Sequence, residues 1–297
     1  MGTTYDRIPQ DEQPAGAPRW LCRGRPLPLA RPLVMGILNV TPDSFSDGGR
    51  HCTHAAAVEH GLRLVAEGAD IVDIGGESTR PGAASVSPDE ELARIIGVVK
   101  ELAARTEAPL SVDTRHPAVA RAALEAGAAI INDVTGLADP AMVSLVREYG
   151  AGAVIMHMRG EPRSMQQSPA YGDVVGEVRD WLAAHVATVT AAGIDPESLA
   201  IDPGIGFGKT LEHNLALLGS LRELAAIGPP LLVGLSRKRF IGEVTGAAVD
   251  DRLAGSLAGL VWCIWQGVSI LRVHDVRESV AALRMATALA AKPMGGV

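Results

Sequence analysis

Eight short apolar runs recur along the chain, each followed by a Gly, Pro, Asn or Asp cluster, and most of them then by a segment of helical spacing. They are Val34–Val40, Ile71–Gly75, Leu110–Asp113, Ala129–Val134, Ala153–His157, Leu199–Asp202, Leu231–Leu235 and Ile270–His274. The helical pattern is clearest over Ala55–Glu67, Pro88–Ala104, Pro117–Ala126, Val174–Ala192 and Leu211–Ala226. Ser87-Pro88 and His116-Pro117 read as helix starts, with proline in the first turn. A strand that is apolar on both faces is buried on both faces, which is the mark of a parallel sheet. Eight strand-then-helix units in 297 residues predict an α/β fold, a single (β/α)8 TIM barrel. A doubly wound sheet is the alternative, but it would not need eight units. Ahead of the first run, Arg19–Arg31 carries Leu21, Leu27 and Leu29 around Gly24, the pattern of a short N-terminal β-hairpin plugging the barrel floor. The expected division is a disordered arm over 1–18 and one barrel domain over 19–297.

Several function classes drop out on composition. The formal charge is −7, with 34 acidic against 27 basic residues, so the basic face of a nucleic-acid binder is not expected. Cys22, Cys52 and Cys263 form no CxxC pair, which speaks against a thiolate metal site or a disulfide framework and for a reducing, cytoplasmic setting. Residues 1–18 contain no apolar core of a signal peptide. The uncharged stretch Leu253–Leu271 approaches membrane-span length but breaks at Gln266-Gly267, and it reads as a buried helix running into a buried strand. Asn39-Val-Thr41 fits a glycosylation sequon that has no use without secretion.

In a barrel of this kind the C-terminal ends of the strands converge on one rim, and chemistry gathers there. Polar residues occupy those ends repeatedly: Asn39 and the Asp43–Gly49 loop, Glu77–Gly82, Asp113-Thr-Arg115, Asn132-Asp133, His157, Asp202–Lys209, Ser236-Arg-Lys238 and Arg272-Val-His274-Asp275. Any one of them could be a helix cap or a loop hydrogen bond. All eight sharing one rim indicate a polar site. A buried carboxylate needs donors. A heterocycle edge with a ring N–H beside an amino group offers two in line, which suits Asp113, Asn132 and Asp202. Lys238, Arg272 and His274 suit an anionic group, above all a phosphate. The alternative for the two aspartates is capping of the following helix or turn, and for Arg272 and His274 a loop salt bridge to Asp275 or Glu278.

Two patterns mislead. Gly204-Ile-Gly-Phe-Gly-Lys209-Thr210 looks like a phosphate-binding loop, but Pro203 stands where its first glycine belongs. His51, His54 and His60 sit on a helix face without firm ligand spacing. The chain has three phenylalanines, Phe45, Phe207 and Phe240, all in or just beyond strand-end loops, where they could stack on a flat substrate.

Met35-Gly-Ile-Leu-Asn-Val-Thr-Pro-Asp-Ser-Phe-Ser-Asp-Gly-Gly49 and Asp73-Ile-Gly-Gly-Glu-Ser-Thr-Arg-Pro-Gly82 resemble dihydropteroate synthase. So do Ser111-Val-Asp-Thr114, Ile131-Asn-Asp-Val134, Asp202-Pro-Gly-Ile-Gly-Phe-Gly-Lys209, Ser236-Arg-Lys238 and Arg272-Val-His-Asp-Val276. The match runs in order from about residue 20 to the C-terminus. It implies a (β/α)8 homodimer of folate biosynthesis that joins (7,8-dihydropterin-6-yl)methyl diphosphate to 4-aminobenzoate, with Mg2+. By resemblance, Asp113, Asn132, Asp202 and Lys238 read the pterin, with Met156 flanking the ring. Asn39 holds Mg2+, and Thr79, Arg80, Arg272 and His274 face the diphosphate. Phe45, Pro81 and Phe207 enclose aminobenzoate, with Ser236, Arg239 or a helix N-terminus at its carboxylate. Asp47 and Arg80 bridge two loops. Many members carry Ser after the lysine where this chain has Arg239. The family reading makes sulfonamides, which mimic aminobenzoate, inhibitors. The rival readings are a corrinoid-dependent methyltransferase on the same barrel and a non-catalytic pterin-binding homologue acting as a partner or regulatory subunit.

Overall fold

The structure, a computed structural model, describes residues 18–41, 49–77, 86–160, 165 and 169–290, and of 49–53 the backbone alone. The chain opens with the expected hairpin, β1 (Arg19–Cys22) antiparallel to β2 (Arg25–Pro28). Its two-residue turn places both Arg23 (φ 55°) and Gly24 (φ 74°) in the left-handed region, the geometry that matches strand twist in a tight hairpin.

Eight parallel strands follow: β3 (Leu33–Asn39), β4 (Ile71–Gly75), β5 (Leu110–Asp113), β6 (Ile130–Asp133), β7 (Gly152–Met156), β8 (Leu199–Asp202), β9 (Leu232–Val233) and β10 (Ile270–Val273). Each pairs with its sequence neighbour from β3 to β8, and β10 pairs with both β9 and β3. A parallel bridge between Ile201 and Leu231 closes the ring between β8 and β9. The predicted barrel is therefore present, and each strand lies within a residue or two of its apolar run. The exception is β9, where only two of the five residues from Leu231 to Leu235 have ladder geometry.

Helices α1 (Gly49–Ala66), α2 (Pro88–Arg105), α3 (Pro117–Glu125), α4 (Pro140–Tyr149) and α5 (Val174–Ala191) cover the outside, followed by α6 (Leu211–Gly219), α7 (Leu221–Ala225), α8 (Arg239–Thr245), α9 (Leu253–Trp265) and α10 (Val276–Ala290). The helix starts behave as read: Ser87 Oγ accepts from the Glu90 N–H, and Pro88 and Pro117 lie in first turns. The single helix expected over Leu211–Ala226 is two. Gly219-Ser220, a pair of poor helix formers, breaks it, with Ser220 at φ −116°, ψ 20°. Leu253–Leu271 is helix α9 running into β10, as read, but α9 is not wholly buried: Trp262 and Trp265 are 44% and 50% exposed. No described helix is long and apolar enough to cross a membrane. Cys22 and Cys263 are free and buried.

Strand alternation sorts the barrel interior into two ends. At the N-terminal end Leu33, Ile71, Ile130, Val154, Ala200, Leu232 and Ile270 pack with Trp20, Cys22 and Leu27 of the hairpin into one apolar cluster. Trp20 is fully buried and its Nε1 donates to the Ser198 carbonyl at 2.9 Å. Two residues further along the same strands the inward positions become Asp73, Asn132, Asp202 and Arg272. The alternate residues, such as Val34, Leu38, Val72 and Ile131, face the helices in the main core. Phe240 belongs to that core at 8% exposure, so it is no substrate-stacking ring.

Candidate active site

Arg272 on β10 anchors the polar end. Its Nε donates to Asp73 Oδ2 at 2.6 Å and its Nη2 to Asp113 Oδ2 at 2.7 Å. Asn132 Nδ2 donates to the same Asp73 oxygen at 3.2 Å. One guanidinium thus joins β4 and β5 to β10, and Asp73 adds β6. The loop salt bridge to Asp275 or Glu278 considered for Arg272 does not form; Asp275 pairs with Arg237 instead. Asp73 is fully buried, and its Oδ1 has no hydrogen-bond partner among the described residues; Ser111 Oγ, opposite Asp73 in the β4–β5 register, also has none. Buried polar atoms of this kind call for donors and acceptors from a ligand or solvent.

The charges perturb one another. Burial raises the Asp113 carboxyl to about 7; Arg272 opposes this and Asp73, a like charge, adds to it. Burial works to lower the Arg272 guanidinium, but Asp73 and Asp113 outweigh it and raise it above its ordinary value. Burial also raises Asp202, against the pull of Lys238, and lowers Lys238 to about 8, with Asp202 opposing. A donor-rich ring presented to Asp113 and Asp202 would supply what burial has taken away.

The loop after β8 forms the other wall. Asp202 Oδ1 accepts from the Gly204 N–H at 2.7 Å, so the capping alternative holds for one of its oxygens. Lys238 Nζ donates to the Ile205 carbonyl and lies 4.8 Å from the centre of the Phe207 ring. Met156, 4% exposed, ends β7 opposite Asp202 in register. Ser236 Oγ lies 3.1 Å from His274 Nδ1 and accepts from the His274 N–H at 3.3 Å. Between Ser236 and Lys238, Arg237 takes φ 58°, a conformation unusual for a residue with a side chain, held by Ser256 Oγ accepting its N–H and by Asp275. That turn sets Ser236 toward β10 and Lys238 toward β8. Asn39 is half-buried at the end of β3, its Oδ1 3.9 Å from where a Cβ on Gly75 would stand.

The structure therefore gathers Asp113, Asn132, Met156, Asp202, Phe207, Ser236, Lys238, Arg272 and His274 at one rim, with Asn39 beside them. It does not bring in Arg239, whose exposed side chain pairs with Glu243 on its own helix. Phe45, Asp47, Thr79, Arg80 and Pro81 lie outside the described residues. Asp133 serves its own turn, accepting from Thr135 and Leu137. His54 pairs with Glu101. The residue that sequence reading missed is Asp73. It sits inside an apolar run, not at its end, and a lone carboxylate in a strand buried on both faces was the available signal.

Fold and rim together define a barrel enzyme built to hold a donor-rich heterocycle beside an anion, and residues 35–274 match the pterin binding enzyme family. The dihydropteroate synthase of Escherichia coli is 49% identical over 266 residues, 90% of this chain and 94% of its own. A solved structure of Xanthomonas albilineans dihydropteroate synthase with 4-aminobenzoic acid is 51% identical, covers 93% of this chain and 100% of that one, and superposes with a TM-score of 0.88; a second holds 7,8-dihydropteroate. The Yersinia pestis dihydropteroate synthase in a sulfonamide drug complex is 46% identical over 92% of this chain and all of that one, with a TM-score of 0.87. The chain belongs to the dihydropteroate synthase family.

Proposed function

We propose that this chain condenses (7,8-dihydropterin-6-yl)methyl diphosphate with 4-aminobenzoate, giving 7,8-dihydropteroate and diphosphate. The observation that carries the reading is the cluster of Asp113, Asn132, Asp202, Lys238 and Arg272 at the mouth of a barrel half identical to known synthases. Asp202, Asn132 and Asp113 take the donors of the pterin edge, Lys238 its carbonyl side, and Met156 flanks the ring. Arg272 and His274, with Thr79 and Arg80, face the diphosphate. Phe207, with Phe45 and Pro81, encloses aminobenzoate, and the turn at Ser236 places a hydroxyl near its carboxylate. Asp47 and Arg80 act in closing the loops.

The bond from the pterin methylene to the diphosphate oxygen breaks with its electron pair leaving on diphosphate. The cationic methylene that remains is stabilised by the nearby carboxylates. The aniline nitrogen then forms the new C–N bond and releases its proton to solvent or to diphosphate. A cationic electrophile does not demand a general base, and no described residue is assigned that role.

Asn39 fits an Mg2+ ion: a neutral amide oxygen at the rim, beside a glycine that leaves the approach open, suits a hard ion otherwise held by phosphate and water. When bound, the ion neutralises charge on the departing diphosphate. A homodimer is in keeping with the exposed Trp262 and Trp265 on α9 and Met285 and Leu289 on α10, large apolar groups that a second copy would cover. We place the reaction in the cytoplasm, in keeping with Cys22 and Cys263 standing as free thiols. Sulfonamides, as aminobenzoate mimics, compete at the Phe207 end.

The test is a turnover assay with the pterin diphosphate, labelled 4-aminobenzoate and Mg2+, in wild type and Asp113→Asn. Labelled dihydropteroate that requires Mg2+ and falls by about 10²-fold or more in the variant supports the reading, a loss typical of a charged group that contacts the transition state. Binding of the pterin diphosphate without any product would replace it with the non-catalytic homologue.

A further inference from the structure

Lys209 closes the motif that imitates a phosphate-binding loop, yet its ammonium does not face solvent or the rim. The residue is 3% exposed. Its Nζ lies 3.1 Å from His157 Nδ1, 3.0 Å from the Phe207 carbonyl and 3.4 Å from the His157 carbonyl. These three acceptors match the three donors of an ammonium. Two belong to the end of β7 and one to the loop after β8. That loop is already pressed against the same backbone. A Cβ on Gly204 would come within 1.9 Å of the His157 carbonyl oxygen, and one on Gly208 within 2.4 Å of the Arg159 carbonyl oxygen. Both glycines have positive φ.

What the loop presents on its other side is functional. The Ile205 carbonyl accepts from Lys238 Nζ, and the Phe207 ring lies against the same ammonium. We infer that Lys209 is a positioning residue for the aminobenzoate end of the site: its buried ammonium clasps the loop after β8 to the end of β7, and through Phe207 and Ile205 fixes the ring wall and Lys238. This rests on the proposed function, since Phe207 is given to aminobenzoate there.

The clasp is sensitive to protonation. Burial lowers the Lys209 amine to about 7, with Asp202 opposing and Lys238 and Arg159 adding to the shift. His157 is held neutral, lowered to about 3 by burial and by Lys209 and Arg159, with Glu177 opposing, and in its Nε2–H tautomer Nδ1 accepts from the ammonium. Below about 7 the ammonium donates to all three acceptors; above it the amine has two N–H groups and the charge that strengthens these bonds is gone.

The experiment is steady-state kinetics of Lys209→Met and Lys209→Gln against wild type from pH 6 to pH 9, with amide hydrogen exchange of residues 204–209 measured in parallel. Losing hydrogen bonds made by a charged group predicts an aminobenzoate KM raised about tenfold in Lys209→Met, a smaller rise in the pterin diphosphate KM transmitted through Lys238, and kcat within about threefold. Lys209→Gln, which retains two donors, falls between. In wild type the aminobenzoate KM rises as pH passes through about 7; in both variants that rise is smaller, the remainder coming from Asp113 and Lys238, which titrate in all three proteins. Exchange in the loop speeds up in Lys209→Met. An unchanged aminobenzoate KM with unchanged exchange overturns the proposal, and so does an equal loss in kcat and both KM values. If wild type makes no product, the proposed function fails, while the exchange comparison still decides whether the clasp exists.

Discussion

The two ends of the barrel use the same strands for opposite purposes. On β4, β6, β8 and β10 the inward residue near the floor is Ile71, Ile130, Ala200 or Ile270, and two positions later it is Asp73, Asn132, Asp202 or Arg272. Two residues of strand are about 6.6 Å. At the floor the hairpin seals an apolar cluster and the one indole N–H in it finds a carbonyl. At the mouth, carboxylates and cations share few partners and some polar atoms have none. Stability is carried at one end and ligand recognition at the other, and the boundary between them is a single step of strand alternation.

The sharpest way to break this division is at the floor. Trp20→Ala empties a fully buried site and should cost about 3–5 kcal/mol of stability. The folded fraction should retain its kcat/KM. Denaturant unfolding alongside kinetics at low temperature checks both halves, and a large loss of kcat/KM at unchanged stability would contradict the division. Next in size is Asp73→Asn at the mouth. The asparagine keeps the shape but removes the charge that ties Arg272 and Asn132 together, so kcat/KM should fall by about 10²-fold, equivalent to about 2.7 kcal/mol. Its melting temperature should move little, because the change also relieves repulsion with Asp113. The smallest effect belongs to Arg239→Ala. An exposed i,i+4 pair with Glu243 contributes about 0.3–0.5 kcal/mol, and the aminobenzoate KM should stay within about twofold. A tenfold rise there would restore Arg239 as the carboxylate contact.

Much of this was legible in the sequence, and the exceptions have physical causes. Strands buried on both faces announce themselves as apolar runs, so seven of the barrel strands stand close to where they were read. The last stretch before the closing strand is different: Leu231–Leu235 is equally apolar, but Pro229-Pro230 ahead of it and Gly234 within it leave only Leu232–Val233 in the ladder. The rim residues were legible because they lie in the last two positions of their strands or just beyond. Asp73 was hidden because one residue of alternation, not position in the run, decides what faces the mouth. Lys209 was hidden by a likeness to a phosphate loop, since a sequence pattern does not tell whether a lysine turns outward to an anion or inward to carbonyls. Phe240 was misplaced because the start of α8 folds back onto the core.

The most direct test of the account is calorimetric titration of the pterin diphosphate into wild type and Asp202→Asn, with folding of both confirmed by circular dichroism. A carboxylate reading a donor edge predicts an affinity loss of about 10- to 100-fold in the variant, the cost of one charge-assisted hydrogen-bonding group. Equal affinities in the two proteins would mean that the barrel mouth does not read the pterin through its acidic side chains, and the central claim would fall.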